Sequence, residues 1–135
     1  VTRTTLYGSQ RYAAKHGLPK GPDDFAGHSF LLYEPGRGAR RFNAWLNERI
    51  ARDQVAATLP DIPSMIVAVR SGLGLGALPV AMAEDAPELV QCFDPPAEGL
   101  ARTWLVIGPE ANKRREVRAF ADFLAPRYTE RIGNR

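Results

Sequence analysis

Residues 60–79 read Pro60-Asp61-Ile62-Pro63-Ser64-Met65-Ile66-Val67-Ala68-Val69-Arg70-Ser71-Gly72-Leu73-Gly74-Leu75-Gly76-Ala77-Leu78-Pro79. Ile62, Met65, Ile66, Val69 and Leu73 recur at i, i+3, i+4, i+7 and i+11, which is one face of a helix. The two prolines decide where that helix begins. With Pro60 as first helical residue, Pro63 would sit fourth, where its missing N–H costs an intrahelical bond. With Asp61 as N-cap, Pro63 falls in the first turn and loses nothing. The stretch therefore predicts a helix over 62–71, closed by Gly72 in the left-handed conformation that glycine alone adopts without steric cost. Leu75 to Leu78 then reads as a short strand, apolar enough to be buried.

Upstream, residues 3–7 read as a strand rich in Thr and ending at Gly8. Ser9 is placed to cap a helix over 10–16 that Gly17 closes. A serine at such a junction brings its hydroxyl and the first free N–H groups to one point, which suits an anion or a hydroxyl. Pro22-Asp23-Asp24 starts a single helical turn, and its paired carboxylates read as caps rather than as a catalytic pair. A strand over 29–33 runs into the Pro35-Gly36 breaker. A helix over 40–50 follows, with Phe42, Trp45, Leu46 and Ile50 as its apolar stripe. Arg37, Arg40 and Arg41 make a small basic cluster that reads as a solvated face, or as a contact for an anion or a partner. Downstream, the pattern gives strands at 54–58, 89–93 and 100–107, with a hairpin-like loop at 94–99. Asn112 caps a last helix that Pro126 ends.

Strands alternating with helices predict an α/β fold with parallel pairing and right-handed crossovers. In such sheets ligands bind beyond the carboxyl ends of strands. Three ends qualify: Gly8-Ser9, Tyr33-Glu34 and Thr58-Leu59-Pro60-Asp61. Thr58 offers a hydroxyl, and the helix after it offers unpaired N–H groups, an arrangement suited to a carboxylate or another small anion.

The order of these segments resembles the effector-binding domain of LysR-type transcriptional regulators. The resemblance rests on the Thr-x-x-Asp start, helix and Gly-Leu-Gly-Leu-Gly-Ala-Leu-Pro of 58–79. It also rests on Leu6-Tyr7-Gly8-Ser9 through His16-Gly17-Leu18-Pro19 with Pro22-Asp23-Asp24-Phe25-Ala26-Gly27-His28, and on Trp104-Leu105-Val106 with the helix at 115–124. It implies a three-layer lobe of the periplasmic-binding-protein type 2 class, a mostly parallel sheet flanked by helices, cut from a two-lobed domain. Residues 1–100 correspond to the second lobe, and 101–135 to the return strand, the carboxy-terminal helix of the first lobe and a tail. It further implies a small-molecule effector in the interlobe cleft, contacted by Thr58, Leu59, Pro60, Asp61, Ser9, Gly8 and Tyr33. A homodimer or higher homo-oligomer is expected, in the cytoplasm, touching DNA only through an amino-terminal winged helix-turn-helix upstream of Val1. No residue need do chemistry.

Composition sets the remaining bounds. At 135 residues the chain is one domain's worth, and no apolar run approaches the ~18 residues of a membrane span. A net charge of +3 is too small and too evenly spread to argue for nucleic-acid binding by this piece. Cys92 is the single cysteine, so no internal disulfide forms, and it reads as a small core residue. Two histidines, His16 and His28, give no metal-ligand spacing, and neither metal nor cofactor is expected. The chain begins without Met, which reads as a fragment or processed product. Two rivals remain: a solute-binding protein of the same architecture, and, more distantly, a nucleotide-dependent enzyme using Gly72-Leu73-Gly74-Leu75-Gly76. The latter needs its glycines after a strand and opening a helix, the reverse of the order here.

Overall fold

The computed structural model describes residues 1–102 and 106–130. Six strands form one sheet: β1 (Thr2–Ser9), β2 (Phe30–Tyr33), β3 (Val55–Leu59), β4 (Leu75–Pro79), β5 (Leu89–Gln91) and β6 (Leu100–Ala101), in the order β3-β2-β4-β1-β5 with β6 also on β1. The helices are α1 (Gln10–His16), α2 (Arg40–Asn47), α3 (Ile62–Arg70), α4 (Val80–Ala83), α5 (Pro109–Asn112) and α6 (Arg115–Tyr128).

β2 pairs in parallel with β3 and β4, whereas β1 is antiparallel to β4, β5 and β6. All strands but β1 therefore run one way, so the sheet is mostly parallel. β1, which lies reversed in the middle, is the exception to the parallel pairing that alternation predicts. Cys92 N–H donates to the Leu6 carbonyl, extending the β5 pairing. The 94–99 loop is accordingly no hairpin: β5 and β6 bind different ends of β1, Ser9 facing Leu89 and Thr2 facing Ala101.

The decisive stretch folds as its spacing predicts. Asp61 caps α3, its Oδ1 accepting from Ser64 N–H at 2.8 Å, with Pro63 inside the first turn. Gly72 ends the helix at φ +80°, and β4 follows. Met65 and Val69 are fully buried against β4. A Cβ on Gly76 would lie 2.8 Å from Val69 Cγ2 and overlap Met65 Sδ, so glycine lets α3 settle directly on the sheet.

The opposite face carries α1, α2 and an aromatic cluster. Phe25 meets Phe30 edge-on at 4.9 Å and Trp45 at 6.2 Å, and Phe42 packs on Trp45 at 5.2 Å. Helices on both faces complete three layers. α2 stops at Asn47, three residues before the expected end, where Arg49 turns back to donate to the Trp45 carbonyl at 2.8 Å.

Cys92 is half-buried against the core, and desolvation pushes its thiol up to about 12, so it is an inert packing group. Residues 103–105, which fall within the expected strand at 100–107, lie outside the described residues. The cap position of α6 is Arg114 rather than Asn112, which ends α5, and α6 runs through Pro126 instead of stopping there. Arg127 and Thr129 side chains bond the Phe123 and Ala125 carbonyls around the proline, supplying local partners in that last turn. None of its residues is buried, and Phe120 is 61% exposed.

Candidate functional site

The carboxyl ends of β2, β3 and β4 share one edge of the sheet: Tyr33 pairs with Leu59, and Pro79 lies beside Thr4. Because β1 is reversed, its amino end belongs to this edge too, next to β6. A hollow of about 620 Å³ opens here. Its floor is apolar, made by Pro60, Ile62, Pro63 and Ile66 with Met82 of α4, and its two charged walls are Arg37 and Asp61.

The β2–α2 loop is fixed by its own backbone. Glu34 N–H donates to the Leu59 carbonyl at 2.9 Å, tying the loop to β3, and Arg37 N–H closes a turn onto Glu34 at 3.0 Å. Gly38 has φ +60° and lies against the Tyr33 ring, which occupies the space where a Cβ would go. A smaller hollow of about 220 Å³, lined by Thr4, Arg40, Arg41 and Glu98, shares Gly38 as its border with the first.

Tyr33 is scaffolding for this edge. Its backbone is clamped by the Asn43 side chain, which accepts from Tyr33 N–H at 2.9 Å and donates to Tyr33 O at 3.2 Å. Its hydroxyl donates to the Ala77 carbonyl at 2.7 Å. Burial and the Asp61 charge raise its pKa, so it stays neutral.

The charged groups lining the hollow are one of each sign, Arg37 and Asp61. Hydrogen bonds from the Ser64 side chain and backbone N–H, with a smaller contribution from Arg37, hold the Asp61 carboxyl below its ordinary pKa. That same cap occupies Ser64 N–H, and Pro63 has none, so the amino end of α3 is largely self-satisfied. Arg37 makes no salt bridge among the described residues. The neighbouring amino end of α2 has no side-chain cap and no acidic first turn, and it carries Arg40 and Arg41. Both features leave positive potential beside the hollow.

Of the residues expected to meet a ligand, Pro60 and Asp61 line the hollow, while Leu59 and Tyr33 end the strands behind it. Thr58 is exposed on the edge strand β3 and does not line it. Gly8 and Ser9 are at the opposite edge, a consequence of β1's direction. Ser9 is 3% exposed, and its Oγ accepts from Tyr12 N–H at 3.0 Å as the cap of α1. Ile66 and Met82 were not anticipated as lining residues. Met82 follows Pro79 by three residues, so the position of β4's carboxyl end was the available signal. Asp24 turns back to accept from Lys20 N–H at 3.0 Å, which is local turn bonding. His28 Nδ1 lies 2.8 Å from the Tyr12 hydroxyl, and no cluster of three or more metal-ligating side chains occurs among the described residues.

Comparison with known proteins agrees with this architecture. In solved structures the chain is similar to the regulatory domain of CrgA, a LysR-type transcriptional regulator from Neisseria meningitidis, with 21% identity and a TM-score of 0.64, covering 93% of this chain and 64% of that one. It is similar to the regulatory domain of AphB in Vibrio vulnificus at 14% identity and a TM-score of 0.57, with 93% and 64% covered. CbnR, a LysR family transcriptional regulator, aligns at 15% identity and a TM-score of 0.50, over 66% of this chain and 32% of that one. The chain thus spans less than two thirds of the length of the regulatory domains it matches. A search of curated protein sequences finds no match. Among the described residues no helix is long and apolar enough to cross a membrane. The model of the LysR substrate binding domain matches residues 2–129, nearly the whole chain, and the chain belongs to that family.

Proposed function

We propose that this chain is the effector-sensing part of a LysR-type transcriptional regulator, and that the hollow between Arg37, Asp61 and Met82 is its half of the effector cleft. One observation carries the reading: the hollow lies beyond the carboxyl ends of the parallel strands β2, β3 and β4 and is lined by residues that follow them, the place where open α/β sheets bind ligands.

In this reading residues 1–100 form the second lobe, and α6, whose Phe120 and Phe123 are over half exposed, packs into the first lobe. Effector binding between the lobes favours one arrangement through its differential affinity, and that difference is passed to a homodimer or larger assembly on DNA. DNA is held by a separate amino-terminal domain in the cytoplasm, and no catalytic group is needed.

The test is Met82→Trp in the intact regulator. Met82 is 49% exposed, so the larger side chain fills the hollow without entering the core. Effector-dependent transcription is expected to disappear while footprints on operator DNA persist. A variant that still responds to effector places the cleft elsewhere.

A further inference from the structure

We infer that the hollow takes a monocarboxylate with a compact apolar body, and that Arg37 is the residue that anchors its charged end. The inference rests on the sensing role proposed above and adds the class of ligand to it. Three features converge. Arg37 projects from a loop pinned at Glu34 N–H and turned by Gly36 and Gly38, with φ of +79° and +60°, so its backbone is fixed while its guanidinium has no salt-bridge partner among the described residues. A guanidinium in that state offers paired donors that match a carboxylate's two oxygens. The floor facing it is made of Pro60, Ile62, Pro63, Ile66 and Met82, none of which bears a polar side-chain group that would hydrogen-bond a sugar or a polyol.

Asp61 sets the upper limit on charge. Its carboxylate stays ionised because Ser64 holds it, and it stands in the wall of the same hollow. Any anion meets it as a like charge, and a dianion such as a phosphate monoester does so twice over, so one carboxylate on Arg37 is the smaller repulsion. The uncapped, arginine-bearing start of α2 adds a favourable field for one negative charge. Arg37 is thus an anchor, and the apolar floor selects the body of the ligand.

The chain itself is titrated with cyclohexanecarboxylate and with the neutral cyclohexanecarboxamide, following backbone amide resonances by NMR. The acid is expected to shift Gly38, Asp61 and Ile66 saturably, and to bind about fivefold more tightly than the amide, the margin of one exposed charge-assisted contact. Arg37→Gln is expected to erase that margin while leaving amide binding unchanged. Equal affinity of acid and amide, or an unaltered preference in the variant, overturns the anchor and leaves the hollow as a neutral binding site. Failure of both compounds to shift any residue of the hollow overturns the anchor, while the cleft reading is decided separately by Met82→Trp in the intact regulator.

Discussion

Gly76→Ala tests how α3, and with it one wall of the cleft, is held on the sheet. The added Cβ would stand 2.8 Å from Val69 Cγ2 and overlap Met65 Sδ. Met65 can swing its flexible thioether aside. Val69 cannot, because its branched Cβ has one strongly preferred rotamer in a helix and it is fully buried. The substitution therefore forces α3 outward or strains Val69, and overpacking of this kind costs about 2 kcal/mol. Val69→Ala alone removes two buried methyl groups, at about 0.8 kcal/mol each with a further term for the cavity, so it too costs about 2 kcal/mol. In the double variant the new methyl occupies the space vacated at position 69. The combined loss should be about 3 kcal/mol rather than the sum of about 4, a coupling of about 1 kcal/mol. Urea denaturation of the four proteins gives these values from midpoints at constant slope. Strict additivity, or a Gly76→Ala loss below about 0.5 kcal/mol, would falsify the close approach of helix and strand.

Tyr33→Phe removes the 2.7 Å hydrogen bond to Ala77 and should cost about 1 kcal/mol, read from the urea midpoint. Ligand affinity should be unchanged, and a selective loss of affinity would mean that the hydroxyl reaches the effector. Acid should weaken the fold in a window set by His28. Its pKa is lowered, first by desolvation and then by His16, against a smaller opposing effect of Asp24. The unfolded chain therefore takes up the proton first. Stability from this group is complete above the ordinary value of 6.5 and falls as pH drops from there through the lower folded value. His28→Gln should flatten the urea midpoint between pH 7.5 and 5.5, and an equal slope in both proteins would exclude His28 as the cause.

Local rules carried most of the fold. Asp61, Pro63 and Gly72 each act through backbone geometry within a turn of themselves, and the cap, start and end of α3 follow from the sequence alone. Ser9 was legible in the same way as the cap of α1. Helix ends further along depended on longer reach. Arg49 ends α2 by folding onto Trp45, which lies at 4.6 Å beneath its guanidinium, and nothing in the local pattern distinguishes that from one more helical turn. α6 runs on past Pro126, and its last turn carries side-chain bonds from Arg127 and Thr129 to the Phe123 and Ala125 carbonyls, geometry that composition does not encode.

Strand direction is where local reading stopped, and it is also what removes Gly8 and Ser9 from the site. β1 has a helix after it like β2 and β3, so alternation predicts that it runs with them. Its Thr-rich composition and its continuous burial from Thr4 to Ser9 are the same for either direction, since side chains alternate faces whichever way a strand points. Only the register, Thr4 against Pro79 and Tyr7 against Gly76, reveals the reversal. That reversal moves Ser9 to the far edge and brings Thr2–Thr4 to the near one, where β6 joins them. The pairing of β6 with the amino end of β1 thus arises from one antiparallel strand in an otherwise parallel sheet. Of the residues that line the hollow, Pro60 and Asp61 were legible because they follow β3 at the carboxyl edge of three parallel strands, whereas Ile66 and Met82 were not, because their nearness depends on how α3 and α4 pack at that edge.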